Sequence, residues 1–533
     1  MTDRSKPVVQ RRLLRGALTN WLAFAAVMAS SFFLAPYLIR RLGDATYGVW
    51  GFVESILAYL TLLDLGVAAC VTRYVAKLHT TGERDELNRL VSSCLALFCI
   101  AGGAILAIGT GLSWWLAPTL QAKADLAGNV LPFMLLMVAN LAVTLPLGIY
   151  PSILDGLERY TQKSLIRLVA LVVRVAGIVA VTELSPGLFG LGMVLTLTNL
   201  AEHLAYVLLV RRVMPELVLS RRLVDRVTLA RVKGYSVDAF LAMLAGRITV
   251  QTAAVVIGMM ISAVAVTHFL IASRLVEMAK SLLRSATTTL TPAFSSLEAQ
   301  GKIDEMRAIY LTATRLSLLL GLPLALGMIW FGPAFLTRWL HSAEYVTVSY
   351  PTLWILAATL PFVVAQSAAA RVLYGVGRLR GFARMALVEA AVNLTLSLIL
   401  VRSMGIQGVA IAVAIPNVLF CIAVIVTACS HLQIRASVYL RTAWLRPIAL
   451  NLPLALAGWA ITRSFPLETW GELALAGAVG GLPYLLMVAI TEGKFPKWLA
   501  PRELLKRMAG KLSPGARASA PANPTPAPRA TGG

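Results

Sequence analysis

The chain alternates long apolar stretches with short polar breaks from Ala17 to Ile490. A bilayer-spanning helix needs about 20 predominantly apolar residues, because the hydrocarbon core is roughly 30 Å thick. The pattern predicts fourteen such windows: 17–39, 47–69, 91–112, 128–150, 165–183, 188–210, 235–258, 262–285, 310–331, 346–371, 384–402, 406–429, 445–463 and 470–491. No stretch between them is long enough for a large soluble domain. The fold class that follows is an all-α polytopic membrane protein.

A weak internal repeat organises these windows. Leu154-Asp-Gly-Leu-Glu-Arg159 matches Leu373-Tyr-Gly-Val-Gly-Arg378, and Gly82-Glu-Arg-Asp85-Glu86 matches Gly301-Lys-Ile-Asp304-Glu305, both pairs at one and the same offset. Asn199 and Asn417 follow within a single position of that offset. An offset of six helices gives halves of the same orientation, so the expected architecture is two parallel six-helix lobes plus a C-terminal helix pair. The corresponding ranges are 1–215 for the first lobe, 216–234 for a linker, 235–430 for the second lobe and 431–492 for the pair. A basic segment followed by a Pro/Ala/Ser/Gly-rich tail fills 493–533. Transporters built from parallel repeats bind substrate between the halves and alternate access by rocking.

Composition agrees with the pattern. Of 533 residues, 58% are hydrophobic and 14% charged, far fewer charges than a soluble protein carries. The net charge of +23 would suggest a nucleic-acid partner in a soluble protein. Here the charge lies in loops: thirty-five Lys and Arg fall on one set of alternate loops and six on the other. That asymmetry places both termini in the cytoplasm and removes the need for nucleic acid. The five cysteines show no metal-ligand spacing, the five histidines are scattered, and no P-loop, zinc-protease motif or nucleophile elbow occurs. Neither an enzyme, a metal nor an organic cofactor is expected.

Ionisable residues within apolar windows cost at least about 2.5–3.5 kcal/mol each and face a cavity or a partner. The strongest candidates are Arg174, Arg247, Arg274, Lys280 and Arg284 among the bases and Glu54, Glu202, Asp238 and Glu277 among the acids. Arg274, Glu277, Lys280 and Arg284 fall within roughly 120° of one helix face. Two readings of this set stand. The bases line a water-filled cavity that takes an anion, guanidinium groups matching phosphate oxygens, with the acids as counter-ions or proton carriers. Alternatively Arg174 pairs with Glu202, and Arg247 with Glu277 or Asp238, as links between helices.

The runs Leu34-Ala-Pro-Tyr-Leu-Ile-Arg-Arg-Leu-Gly43, Tyr47-Gly-Val-Trp50, Leu62-Leu-Asp-Leu-Gly66 and Arg73-Tyr-Val-Ala76 resemble the polysaccharide repeat-unit flippases. This is a bacterial branch of the multidrug/oligosaccharidyl-lipid/polysaccharide exporter superfamily. The resemblance implies a lipid-linked oligosaccharide carried on a polyprenyl diphosphate across the inner membrane, from cytoplasmic to periplasmic leaflet. It implies ion-coupled or gradient-assisted transport without an organic cofactor, among membrane lipids and beside a polymerase and other envelope-glycan assembly proteins. Three alternatives stay open: a peptidoglycan-precursor flippase, a multidrug cation exporter of the same superfamily, and a polytopic glycan-modifying enzyme.

Overall fold

The computed structural model describes residues 6–64, 66–124, 130–225 and 244–492; Asp238, the second part of the linker and the tail lie outside them. The described backbone is helical, with no strand. The helices are α1 (Lys6–Leu42), α2 (Asp44–Leu60), α3 (Val67–Thr81), α4 (Arg84–Ala124), α5 (Val130–Leu147), α6 (Ile149–Gly156), α7 (Tyr160–Leu184) and α8 (Leu188–Val213). They continue with α9 (Leu244–Met260), α10 (Ala263–Thr287), α11 (Leu290–Ala299), α12 (Ile303–Leu340), α13 (Glu344–Ala358) and α14 (Leu360–Gly375). The last four are α15 (Leu379–His431), the short α16 (Ala436–Tyr439), α17 (Arg446–Ser464) and α18 (Trp470–Glu492).

Eleven helical stretches among the described residues are long and apolar enough to cross a membrane, so the chain is a multi-pass membrane protein. The number differs from the fourteen windows for three reasons. The described part of α9 is short, and α10 carries four charges. The windows 384–402 and 406–429 run together as α15, whose backbone breaks at Gly405 (φ 57°, ψ −134°). The window 47–69 also breaks, through a 3-10 turn at Thr61–Asp64 into α3. There the Asp64 Oδ1 accepts the Ala68 N–H at 3.2 Å and caps α3, which explains a carboxylate at the end of an apolar run.

The repeat is visible in backbone detail. After α6, Leu157 N–H bonds Ile153 O (2.9 Å) and Arg159 N–H bonds Leu154 O (2.9 Å). After α14 the same pair recurs at the equivalent positions, Val376 to Val372 (3.0 Å) and Arg378 to Leu373 (2.9 Å). Glu158 (φ 56°) and Gly377 (φ 74°) occupy equivalent left-handed positions. A Cβ placed on Gly156 would lie 2.8 Å from Val75 Cβ, and one on Gly375 would lie 2.6 Å from Phe294 Cβ, the repeat mate of Val75. Each lobe therefore closes this helix with the same turn against the same neighbour.

The halves meet along α2 and α10, which are themselves repeat mates. A Cβ on Gly48 would fall 1.8 Å from Ala263 O, and one on Gly51 2.0 Å from Leu270 Cδ1. In the mirrored contact Thr267 Oγ1 donates to Asp44 O at 2.6 Å. Gly51 and Leu270 occupy equivalent positions in the two halves, so a pseudo-twofold axis passes between them. Small residues let two membrane helices approach this closely.

The core divides unevenly about this axis. One cluster spans both halves and includes Val49, Phe52, Phe133, Val266, Phe269 and Leu353. Toward the end of the bundle that carries Gly82, Arg159, Gly301 and Arg378, two separate clusters replace it. One holds Val71, Phe98 and Ile153, the other Phe294, Tyr310 and Leu373. The halves are joined at one end and apart at the basic end. Behind the second half, α17 and α18 dock on α12, with Gly458 against Trp330 and the Tyr484 hydroxyl donating to Leu319 O (2.5 Å).

Gly48→Ala is expected to lower the thermal midpoint of the detergent-purified protein, the overpacked seam costing about 1–3 kcal/mol. Gly111→Ala, where a Cβ meets nothing within 4 Å, should hold or raise it.

Candidate functional site

A half-open cavity of about 820 Å³ is lined mostly by the first half and closed by α10 of the second. It is walled by α1, α7 and α8 on one side and by α2 and α10 on the other. Lys163, Arg167 and Arg174 all line it from α7. At about 100° and 1.5 Å per residue these three fall within roughly 40° of arc and span about 16 Å along the helix. The stripe runs from the basic end toward the centre of the bundle.

Arg174 is the inner member. Its guanidinium bonds Asn199 Oδ1 at 2.6 Å, Glu202 Oε2 at 3.1 Å and Thr198 Oγ1 at 3.3 Å, all on α8. Tyr206 in turn donates to Glu202 Oε1 at 2.9 Å. Lys163 pairs with Asp155 at 2.6 Å. Arg167, exposed in the cavity, has no ion pair among the described residues.

Arg274 faces this stripe from α10, across the seam. It donates to the Tyr47 hydroxyl (2.5 Å) and to Glu54 Oε2 (3.1 Å), and its Cζ lies 5.3 Å and 5.7 Å from the Tyr47 and Trp50 ring centroids. Aromatic faces over a partly desolvated guanidinium add to the ionic attraction. A second cavity of about 290 Å³ lies behind this bridge. Glu54, Arg274 and Glu277 line both cavities, so the Arg274–Glu54 pair forms part of the wall between them.

The expected residues thus fall into distinct places. Arg174, Glu202, Arg274, Glu54 and Glu277 line the larger cavity, and Lys280 lines the second one. Arg284 lines neither; it shares Glu277 with Lys280, each at 3.3 Å. Arg247, half-buried on α9, also lines neither and has no ion pair among the described residues. The pairing of Arg174 with Glu202 is present. Glu277 takes partners from its own helix, one and two turns on, in place of Arg247. Asp238 lies outside the described residues.

Lys163 and Arg167 are the members that the sequence pattern missed. Assigned to a polar loop at the edge of the window 165–183, they belong to α7, which starts at Tyr160. The signal that could have found them is their spacing, which puts them on one helical face with Arg174. Asn199 and Tyr206 escaped notice as ligands because neither carries charge.

A family model described as polysaccharide biosynthesis protein matches residues 13–298, more than half of the chain. The chain belongs to this family. No curated protein matches it. Among solved structures it is similar to the lipid II flippase MurJ in an inward closed conformation, with a TM-score of 0.68 and 14% identity over 90% of this chain and 98% of that one. It is similar to an inward-facing multidrug-resistance MATE-family transporter of the MOP superfamily, with a TM-score of 0.65 and 14% identity over 79% and 98%. A MOP-superfamily transporter from Pyrococcus furiosus aligns at a TM-score of 0.57 and 15% identity, over 80% and 96%. At these identities the likeness shows the fold.

Arg174→Met should destabilise the protein by about 1–3 kcal/mol, because it strands the Glu202 carboxylate in a mostly buried place. Arg174→Met combined with Glu202→Leu should recover a large part of that loss in the same thermal assay, the two sites being coupled.

Proposed function

We propose that this protein is a flippase that carries polyprenyl-diphosphate-linked oligosaccharide units from the cytoplasmic to the periplasmic leaflet for surface polysaccharide synthesis. The observation that carries this reading is the basic stripe Lys163–Arg167–Arg174 leading into the cavity between the halves, with Arg274 opposite. A diphosphate presents several oxygens to such groups, and guanidinium binds them through paired, charge-assisted hydrogen bonds. The exposed Arg167 receives it first, and Arg174 and Arg274 hold it deeper.

The internal carboxylates make the site reversible. A cation left unpaired inside the bundle would bind its anion too tightly to release it, since desolvation strengthens the attraction. Glu202 on Arg174 and Glu54 on Arg274 stand in for the phosphate when the cavity is empty and compete for the cation when it is full. Release becomes an exchange of partners at nearly constant charge. The alternating movement is a rocking of the halves about the α2–α10 seam, while the prenyl chain stays among membrane lipids.

The excess of Lys and Arg on one set of loops supports a cytoplasmic position for the basic end and both termini of an inner-membrane protein. The cavity as described then opens to the side where lipid-linked units are made. A peptidoglycan-precursor flippase is the second reading, favoured by the similarity to MurJ over 90% of the chain. Four basic groups around one cavity argue against a cationic drug as cargo. A glycan-modifying enzyme would need a free acid or base, whereas Glu54, Glu202 and Glu277 are each held by a cation.

The test is the amount of lipid-linked glycan and of surface polysaccharide in cells that rely on Arg167→Ala, Arg174→Ala or Arg274→Ala, with membrane abundance checked by immunoblot. Each variant should strand lipid-linked units at the cytoplasmic leaflet, with transport down about 10–100-fold for the loss of one charge-assisted contact. Normal surface polysaccharide at normal abundance in all three would refute the anion-carrying cavity.

A further inference from the structure

Four glutamates of the transmembrane bundle are placed at or behind the cavities among the described residues, and three are tied to cations. Glu54 pairs with Arg274 at 3.1 Å, Glu202 with Arg174 at 3.1 Å, and Glu277 with Lys280 and Arg284 at 3.3 Å. Glu389 on α15 differs. It is 6% exposed, and its hydrogen-bond partners among the described residues are neutral: Asn417 Nδ2 donates to Oε1 at 3.0 Å and Thr249 Oγ1 to Oε2 at 3.2 Å. An isolated buried carboxylate is costly when ionised, so a site with neutral partners favours taking up a proton.

The repeat sharpens the contrast. Asn199 and Asn417 are equivalent within one position, and each ties the fifth spanning segment of its half to the sixth. In the first half Asn199 offers its Oδ1 to Arg174; in the second Asn417 offers its Nδ2 to Glu389. Asn393 is the repeat mate of Arg174, and Glu389 stands one turn before it on the same face. One framework thus holds a cation in the first half and a carboxyl group in the second.

We infer that Glu389 is a proton-binding site of the second half, loaded and emptied through the smaller cavity as the halves rock. The inference rests on the transport reading above for its purpose, but not for its chemistry. Asn417 and Thr249 both line the smaller cavity and separate it from Glu389. The Asn417 Oδ1 is buried without a hydrogen-bond partner. Turning that amide over exchanges a donor for an acceptor. The carboxylate takes a proton from hydronium, leaving water, and the new O–H donates to Asn417 Oδ1; release reverses both steps. No bond other than O–H is made or broken.

The charged and titratable groups near Glu389 are Lys280 on α10 and Arg384 and Cys421 on α15, with Arg284 on α10 beside Cys421. Lys280 links the proton to the cargo. It lines the smaller cavity and shares Glu277 with Arg284. A deprotonated Glu389 competes with Glu277 for the Lys280 ammonium, and Glu277 borders both cavities. The donor set also disfavours a metal ion, because an amide N–H and a hydroxyl proton point at the carboxylate oxygens.

The full-length protein in lipid bilayers would be titrated by infrared difference spectroscopy. A protonated carboxyl C=O band that bleaches as pH rises is expected, lost in Glu389→Gln and kept in Glu202→Gln. In cells, Glu389→Gln should lose transport at normal abundance and Glu389→Asp should regain it. Absence of the band at every pH, its removal by sodium at fixed pH, or normal surface polysaccharide in Glu389→Gln would each overturn the inference. The anion reading fails separately: Arg174→Ala cells exporting normally while the Glu389 band persists would leave the proton site supported.

Discussion

Arg274 sits near the middle of the bundle because α2 brings Tyr47, Trp50 and Glu54 to it across the seam. A lone guanidinium in hydrocarbon would be expelled or would drag water with it. The bridge in turn needs the helices close together, and Gly48 and Gly51 provide that closeness where any side chain would strike Ala263 O or Leu270. Glycine at two positions and a charge pair one turn away are therefore one device. It lies on the pseudo-twofold axis, so both halves are positioned by it.

From this seam the shape of the molecule follows. The halves share a hydrophobic core on one side of the bridge and have separate cores on the other. Packed interiors do not deform continuously, so each half can move as a unit about the joined end. The cavity lies beside the bridge, lined mostly by first-half helices and closed by α10. Its basic wall belongs almost wholly to α7, while the opposite wall supplies Arg274 and the carboxylates Glu54 and Glu277. The repeat mate of the α7 stripe lies outside the cavity, on α15, where Asn393 stands at the position of Arg174. Duplication supplied the backbone framework, including the turns after Gly156 and Gly375, and substitution at Arg174 and Glu389 gave the halves different chemistry.

Nearly every charge described at the cavities is internally compensated. Arg174 has Asn199 and Glu202, Lys163 has Asp155, and Lys280 and Arg284 share Glu277. Such pairs add little net stability over apolar packing, since desolvation offsets attraction. In the proposed transport cycle they keep the charge balanced while partners exchange. Arg167, open in the cavity, and Glu389, buried with neutral hydrogen-bond partners, stand apart from that balance. They are also the groups best placed to respond to an arriving charge.

The residue pattern alone was enough for the membrane class, the helical fold and the twofold repeat. Hydrocarbon thickness sets the length of an apolar run, and a turn such as that at Leu154–Arg159 keeps its pattern when duplicated. The pattern also marked Arg174, Arg274 and the carboxylates, because a charge within an apolar run is conspicuous wherever it points. Partners were less legible. Arg174 and Glu202 stand on consecutive helices, and their pairing could be proposed beforehand. The bond between Arg274 and Glu54 joins distant parts of the chain, and it exists only because α2 packs on α10. The same holds for Arg247, which its charge marked as central but which α9 leaves out of the lining of both cavities. Lys163 and Arg167 were hidden because polarity at a helix start reads as loop, whereas α7 carries them into the cavity wall. Hydropathy records how much apolar surface a segment has; which way each face turns is fixed by the neighbours it packs against, and those come into contact only once the chain has folded.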